Sequence, residues 1–183
     1  VPFFERYVKW VGGVFQGDLG QSFEKNTDVG ALVLSRVANT GILAFWVFAL
    51  MIPISLVTGV LAGMNEGSRT DRTISFIAVF TTSIPEIATA IFLTVIFALG
   101  LRWLPAKSAM IQGFDGWQLV LPVLTLVIFD FGYVTRMTRA SMAEVMTSQY
   151  IRTAVLKGLP YRRVIMRHAL RNALIAPFTV IVL

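Results

Sequence analysis

The chain is written as long apolar runs separated by short polar connections. From residue 41 to residue 64, GILAFWVFALMIPISLVTGVLAGM carries no charge over 24 residues. A helix of about 20 apolar residues is enough to cross the hydrocarbon layer of a bilayer. A second run, 74–101, contains fifteen Ile, Leu, Phe and Val residues and the single acid Glu86, which follows Pro85 in the sequence SIPE. On insertion scales those side chains contribute about −0.3 to −0.6 kcal/mol each against about +3 for the acid, so the run inserts with its carboxyl. A third run, 117–135, holds Pro122 and Asp130, and a fourth starts at Asn172 and has the look of the first half of a span. The pattern predicts an all-α membrane protein, a polytopic helical bundle with spans at about 41–64, 74–101, 117–135 and from 172 onward. Pro53 should kink the first span, a defect that neighbouring helices or hydroxyls make tolerable in a membrane.

Residues 1–40 are mixed in character. Phe3, Phe4, Tyr7 and Trp10 lie near the start, the polar stretch GDLGQSFEKNTD covers 17–28, and no run is long enough to span. This part reads as an interfacial segment and a loop, with Tyr7 and Trp10 at head-group level.

A hydrophobic content of 56% with 14% charged residues and a mean hydropathy of +0.72 agree with the membrane reading. The net charge of +6 does not call for nucleic acid, because the basic residues gather at the ends of apolar runs, where membrane orientation accounts for them. Arg136, Arg139, Arg152, Lys157, Arg162, Arg163, Arg167 and Arg171 are half of the chain's 16 basic residues, against the single acid Glu144 between them. That asymmetry places 136–171 on the cytoplasmic side. By alternation, 102–116 is then external, 65–73 cytoplasmic and 1–40 external. With no cysteine, disulfides and thiolate metal sites are excluded. The chain opens without methionine or a signal-peptide pattern and stops inside an apolar run, so it reads as a piece of a longer membrane protein truncated at both ends.

The most specific local signals lie in YIRTAVLKGLPYRRVIMRHALRNALIAP, residues 150–177. Gly158 suits a left-handed position after a helix, Leu159 is pushed out of the helical region by the following proline, and Pro160 suits the first turn of a new helix. The reading is helix, sharp turn, helix. In the first helix Ile151, Ala154, Val155 and Gly158 share one face, flanked by Arg152 and Lys157, and form a small knob fit for a groove on another protein. In the second, Arg163, Arg167 and Arg171 recur every four residues as a stripe that could lie along lipid phosphates, with Val164, Ile165 and Ala169 on another side.

These residues resemble the cytoplasmic coupling segment, the EAA loop, of binding-protein-dependent ABC importer permeases, and look closest to the dipeptide and oligopeptide branch. Arg152, Thr153, Ala154 and Gly158 stand where the general motif has Glu, Ala, Ala and Gly, and Pro177 closes the region. Trp10 with GDLGQS at 17–22, LRWLPA at 101–106 and the TRMTRASMAEV stretch from residue 135 resemble the same branch. The resemblance implies the transmembrane domain of a type I ABC importer, in a bacterial or archaeal cytoplasmic membrane. The chain would form half of a translocation path beside a second homologous permease subunit. An extracytoplasmic binding protein would deliver substrate, and ABC ATPase subunits holding ATP and magnesium would drive import, with no cofactor on this chain. It also implies an ATPase-coupling set of Ile151, Arg152, Thr153, Ala154, Val155, Lys157, Gly158 and Pro160. Ile151, Ala154 and Val155 would be the buried contacts and Arg152 and Lys157 the rim, moving as a lever.

Two intramembrane carboxyls are candidates for the translocation path. Glu86 would face a wet path or hydrogen-bond a neighbouring helix, and Asp130 would pair with a nearby arginine such as Arg136, face an inner vestibule or touch a gate. The lone His168 fits packing or an interfacial hydrogen bond rather than a metal site. No phosphate loop, HExxH or GxSxG occurs, so the chain is not read as an enzyme. The alternative is a secondary transporter or channel in which Glu86 and Asp130 carry protons or ions; a membrane scaffold is a third, weaker reading.

Overall fold

The computed structural model describes residues 2–23, 26–110 and 113–182. Glu24 and Lys25 of the polar stretch, Ile111 and Gln112 of the 102–116 connection, and the terminal Val1 and Leu183 lie outside the described residues. Among the described residues there is no strand, only an isolated bridge between Gln21 and Asp28. The chain divides into two compact units, residues 1–45 and 46–183.

In the first unit, helix α1 (Phe3–Phe15) has no buried residue. Its Tyr7 and Trp10 rings lie 6.4 Å apart on an open face, the distribution expected of an interfacial helix. The loop after it is closed by hydrogen bonds from the Gly20 amide to Asp18 Oδ1 at 2.8 Å and from the Val29 amide to the Gly20 carbonyl at 2.9 Å. Helix α2 (Val29–Met64) then begins, with the Asp28 carboxylate accepting from the Ala31 amide at 2.8 Å, a side-chain cap on the first turn. The helix therefore starts twelve residues before the apolar run at 41 that was read as the span. A capped helix continues through polar residues as readily as apolar ones, so the hydropathy boundary is not a structural one.

The second unit is built on α5 (Gly116–Thr147), against which α3 (Arg69–Ser83), α4 (Glu86–Leu93), α6 (Gln149–Leu156), α8 (Leu170–Ala173) and α9 (Ile175–Val182) pack. The Asp115 side chain caps α5 by accepting from the Trp117 amide at 3.0 Å. The helix runs unbroken past residue 135, so the first twelve residues of the segment read as a cytoplasmic loop at 136–171 are helix. Thr135, Thr138 and Met142 are fully buried along that extension.

The cause of that burial is a stripe of small residues on α2. Ser55, Gly59, Ala62 and Gly63 are all buried and recur at helical spacing, which allows two backbones to approach closely in a membrane. A Cβ built on Gly59 would lie 2.5 Å from Thr138 Cβ, and one on Gly63 2.6 Å from the Arg139 carbonyl oxygen. The Thr58 and Thr135 hydroxyls meet at 3.2 Å across the same contact.

The run at 74–101 is not one straight helix. Its two arms, α3 and the Glu86–Gly100 helix formed by α4 with a π-helical continuation (Thr94–Gly100), meet at 94°. The physical reason lies at Ile84 and Pro85. Ile84 is extended at φ −92° and ψ 125°, and Pro85 follows at φ −58° and ψ 141°, the restriction that proline places on the residue before it. Pro53, by contrast, sits inside an unbroken α2. By length and composition α2 and α5 each suffice to cross a membrane, and the bent pair could make a third, broken span.

After α5 the chain forms α6, a turn, α7 (Tyr161–Arg163), a π-helical segment (Val164–Ala169), α8 and α9. Helix, sharp turn, helix is thus the observed order. Pro177 is the third residue of α9, where its missing N–H would have had no partner within the helix.

Candidate functional site

The turn after α6 is a Schellman motif. The Gly158 amide donates to the Val155 carbonyl at 2.9 Å and the Leu159 amide to the Ala154 carbonyl at 3.3 Å. Gly158 itself is left-handed at φ +73°, a conformation that costs other residues about 1–2 kcal/mol. Pro160 then opens α7 at φ −55°. The reversal is held by backbone geometry, and α6 keeps a fixed direction.

The exposed and buried faces of α6 differ from the predicted assignment. Ile151 and Ala154 are buried in this chain's own core, with Met142, Val164, Ile165, Ala169 and Ala173. Helical spacing identified an apolar face correctly, but the chain itself covers half of it. Burying an isoleucine side chain is worth about 1.5–3 kcal/mol, so Ile151, at 2% exposure, anchors α6 and is not free for a partner's groove. What faces outward is Arg152, Thr153, Val155, Leu156, Lys157, Gly158 and Pro160. Leu156 is the most exposed apolar side chain of the set at 82% and was absent from the predicted site. Its signal was available: it directly precedes Lys157 at the C-terminal end of the helix, opposite the buried pair. A hydrogen bond of 2.9 Å from Asn172 Nδ2 to the Tyr150 hydroxyl further ties α6 to α8.

The arginine stripe is altered by the π-helical segment, because Arg163 and Arg171 bracket Val164–Ala169, where the turn is wider than in an α-helix. All three stripe arginines are exposed, while Val164, Ile165 and Ala169 are buried as their spacing predicts. His168 is half-buried between them.

A second polar cluster was missed altogether. Asp71, only 4% exposed, accepts from Arg139 Nε at 2.9 Å and Nη2 at 2.8 Å. It also accepts from the Gly67 amide at 2.8 Å and the Ser75 hydroxyl at 3.2 Å. The two-pronged guanidinium contact is the strong form of the carboxylate pair. It links α5 to the turn that follows α2 and to the first turn of α3, where Ser68 Oγ caps the Asp71 amide at 3.1 Å. Glu66 adds a looser contact to Arg139 at 3.4 Å. The local signal was the S-x-x-D order at 68–71, a capping pattern; the partner 68 residues away had none.

The intramembrane carboxyls also acquire a setting. Glu86 is the first residue of α4, where free amides and the helix dipole favour a negative group. It lines a cavity of about 280 Å³ with Thr94, Ser108, Pro122 and Thr125 among its walls. Asp130, half-buried on α5, is within electrostatic range of Glu86. It makes no ion pair among the described residues. Arg136 does not pair with it; its Nε donates instead to the Gly132 carbonyl at 3.3 Å.

The site is thus a basic segment of a helical, membrane-type domain that carries an exposed helix tip. Residues 55–183 match the model of the binding-protein-dependent transport system inner membrane component, and the chain belongs to that family. It is 36% identical over 176 residues to a Brucella abortus (strain 2308) protein with a provisional name as a peptide transport system permease, covering 94% of this chain and 56% of that one. It is 34% identical over 186 residues to the oligopeptide transport system permease protein AppB of Bacillus subtilis (strain 168), covering 98% and 59%. It is also 35% identical over 178 residues to the oligopeptide transport system permease protein OppB of Salmonella typhimurium, covering 95% and 56%. The chain thus spans a little over half the length of these relatives. Membership in this family favours the permease reading over the secondary transporter, channel and scaffold readings.

Proposed function

We propose that the protein to which this chain belongs is the permease subunit of an ATP-driven, binding-protein-dependent importer with peptides as its substrate class. The relatives named for peptide and oligopeptide transport support the substrate class. In this reading two such permease subunits form the path, a binding protein delivers substrate from outside, and cytoplasmic ATPases that hold ATP and magnesium supply the stroke. Residues 136–171 face the cytoplasm and 1–40 the outside.

The observation that carries the reading is the tip of α6. Val155, Leu156 and Lys157 stand exposed at the end of a helix that Ile151 and Ala154 fasten to the core. Such an element transmits a push because its base cannot move independently of α5 and the Val164–Ala169 segment. Arg152 and Thr153 flank the contact, and Gly158 and Pro160 fix its angle. Closure of the ATPase pair would then rock the attached helices as rigid bodies. Glu86, which lines the 280 Å³ cavity, and Asp130 on α5 are the carboxyls that this reading assigns to the path, where a peptide ammonium group would meet them.

The test is co-purification of the full-length permease with its ATPase subunits. Leu156→Asp should abolish capture of the ATPase and peptide uptake while leaving the thermal unfolding of the permease unchanged. Ala154→Glu, which drives a charge into the core, should lower the unfolding temperature as well. Full capture and uptake with Leu156→Asp would sink the docking role of this helix tip.

A further inference from the structure

Two concavities adjoin on the outer side of the Pro160–Leu174 segment. The larger is an apolar groove of about 550 Å³ between α2 and this segment, floored by Val57, Leu61, Met64, Ile165 and Leu170. The smaller has mostly apolar walls, formed by Pro160, Met166 and the stems of Arg162, Arg163 and Arg167. Arg162 and Met166 belong to both. The two therefore adjoin, with an apolar trough on one side and the stems of three exposed arginines on the other.

None of the three arginines has a carboxylate within ion-pairing distance among the described residues. All are exposed. Met166, at the junction, is 62% exposed, so the seam is open rather than closed over. Charge complementarity decides what suits it. A soluble anion would match the arginines only; an amphiphile with an anionic head and an apolar tail matches both, and lipid is the amphiphile that a membrane-type helix meets everywhere. Basic pockets between membrane helices at a membrane face are the setting in which acidic phospholipids bind.

We infer that this seam is a binding site for an anionic phospholipid. Its phosphate is held by Arg162, Arg163 and Arg167, and one acyl chain lies in the trough between α2 and the π-helical segment. The site rests on the membrane setting of the family and not on the transport reading. A lipid seated there would brace the second helix of the helix-turn-helix beside Ile165, which also packs in the core with Ile151 and Ala154.

The experiment uses the full-length permease in its assembled complex, in nanodiscs of mixed phosphatidylglycerol and phosphatidylcholine, with bound lipid counted by native mass spectrometry. The wild type should retain phosphatidylglycerol selectively, and excess inorganic phosphate should not displace it. The Arg162→Gln, Arg167→Gln double variant should lose about thirtyfold of that selectivity, from about 1 kcal/mol per basic residue near an anionic surface and 1.4 kcal/mol per tenfold. A photoreactive benzoylphenylalanine at Met166 should gain the mass of a phospholipid or its acyl chain. Unchanged selectivity in the double variant overturns the site, as does displacement by phosphate alone. A Met166 cross-link within the chain or to the second permease shows the trough filled by protein and likewise overturns it. Loss of ATPase capture with lipid retained would assign the arginines to a protein contact instead.

Discussion

Breaking the Asp71 and Arg139 pair should loosen the cytoplasm-type end of the bundle by a measurable and non-additive amount. The carboxylate takes four hydrogen bonds, two of them from one guanidinium. Removing one partner of a buried pair leaves the other charge uncompensated and costs about 3–5 kcal/mol. The Arg139 side chain is 29% exposed against 5% for Asp71, so water replaces part of what is lost. Arg139→Gln is therefore expected to cost about 2–3 kcal/mol, below the fully buried range. Asp71→Asn should cost less, about 1–2 kcal/mol, because Arg139 can turn further toward Glu66, already 3.4 Å away, and toward solvent. The double variant should cost less than the two singles together, with a coupling of about 1–3 kcal/mol. Unfolding free energies of the full-length permease, from SDS titration in mixed micelles followed by circular dichroism, give all four corners of the cycle. Additivity to within about 0.5 kcal/mol would refute the claim that this pair clamps α3 and the preceding turn to α5.

Two further outcomes follow from backbone geometry. Gly59→Leu must displace Thr138, since even a Cβ would lie 2.5 Å from that side chain's Cβ; overpacking of this kind costs about 1–3 kcal/mol or more and should appear as a lowered midpoint in the same titration. Gly158→Ala meets no neighbouring atom but is held at φ +73°, so it should cost about 1 kcal/mol and reduce ATPase capture only modestly, whereas Gly158→Val should reduce both stability and capture further.

The parts of this structure that were legible in the sequence are those set by covalent geometry or by a long periodic pattern. Gly158 and Pro160 announced the reversal because few other residues adopt the left-handed angle of Gly158 without cost, and proline cannot continue the helix before it. The apolar runs announced helices because their length exceeds what a soluble core requires. What the sequence did not carry was the identity of the partner on each face. Ile151 and Ala154 formed a true apolar face, yet spacing alone is silent on whether the same chain or another covers it. Asp71 and Arg139 looked like two loop charges because the clamp exists only once α3 is laid on α5. The prolines show the same limit: Pro53 and Pro85 are chemically identical interruptions, but α2 passes through the first unbroken while the chain turns by 94° at the second.

That difference bears on Glu86. As a mid-span residue it would be a buried acid in need of a partner, and the choice between a path and a neighbouring helix would stay open. The turn at Ile84 and Pro85 makes it the opening residue of a new helix, with unbonded amides behind its side chain and the 280 Å³ cavity before it. The same proline that removes a backbone hydrogen bond from the span thus supplies a helix N-terminus inside it, and such a terminus favours a negative charge more than the middle of a continuous helix does. The acid and the proline are best understood as one feature. Moving Glu86 to another position on α4 would restore the full desolvation cost without the compensating dipole.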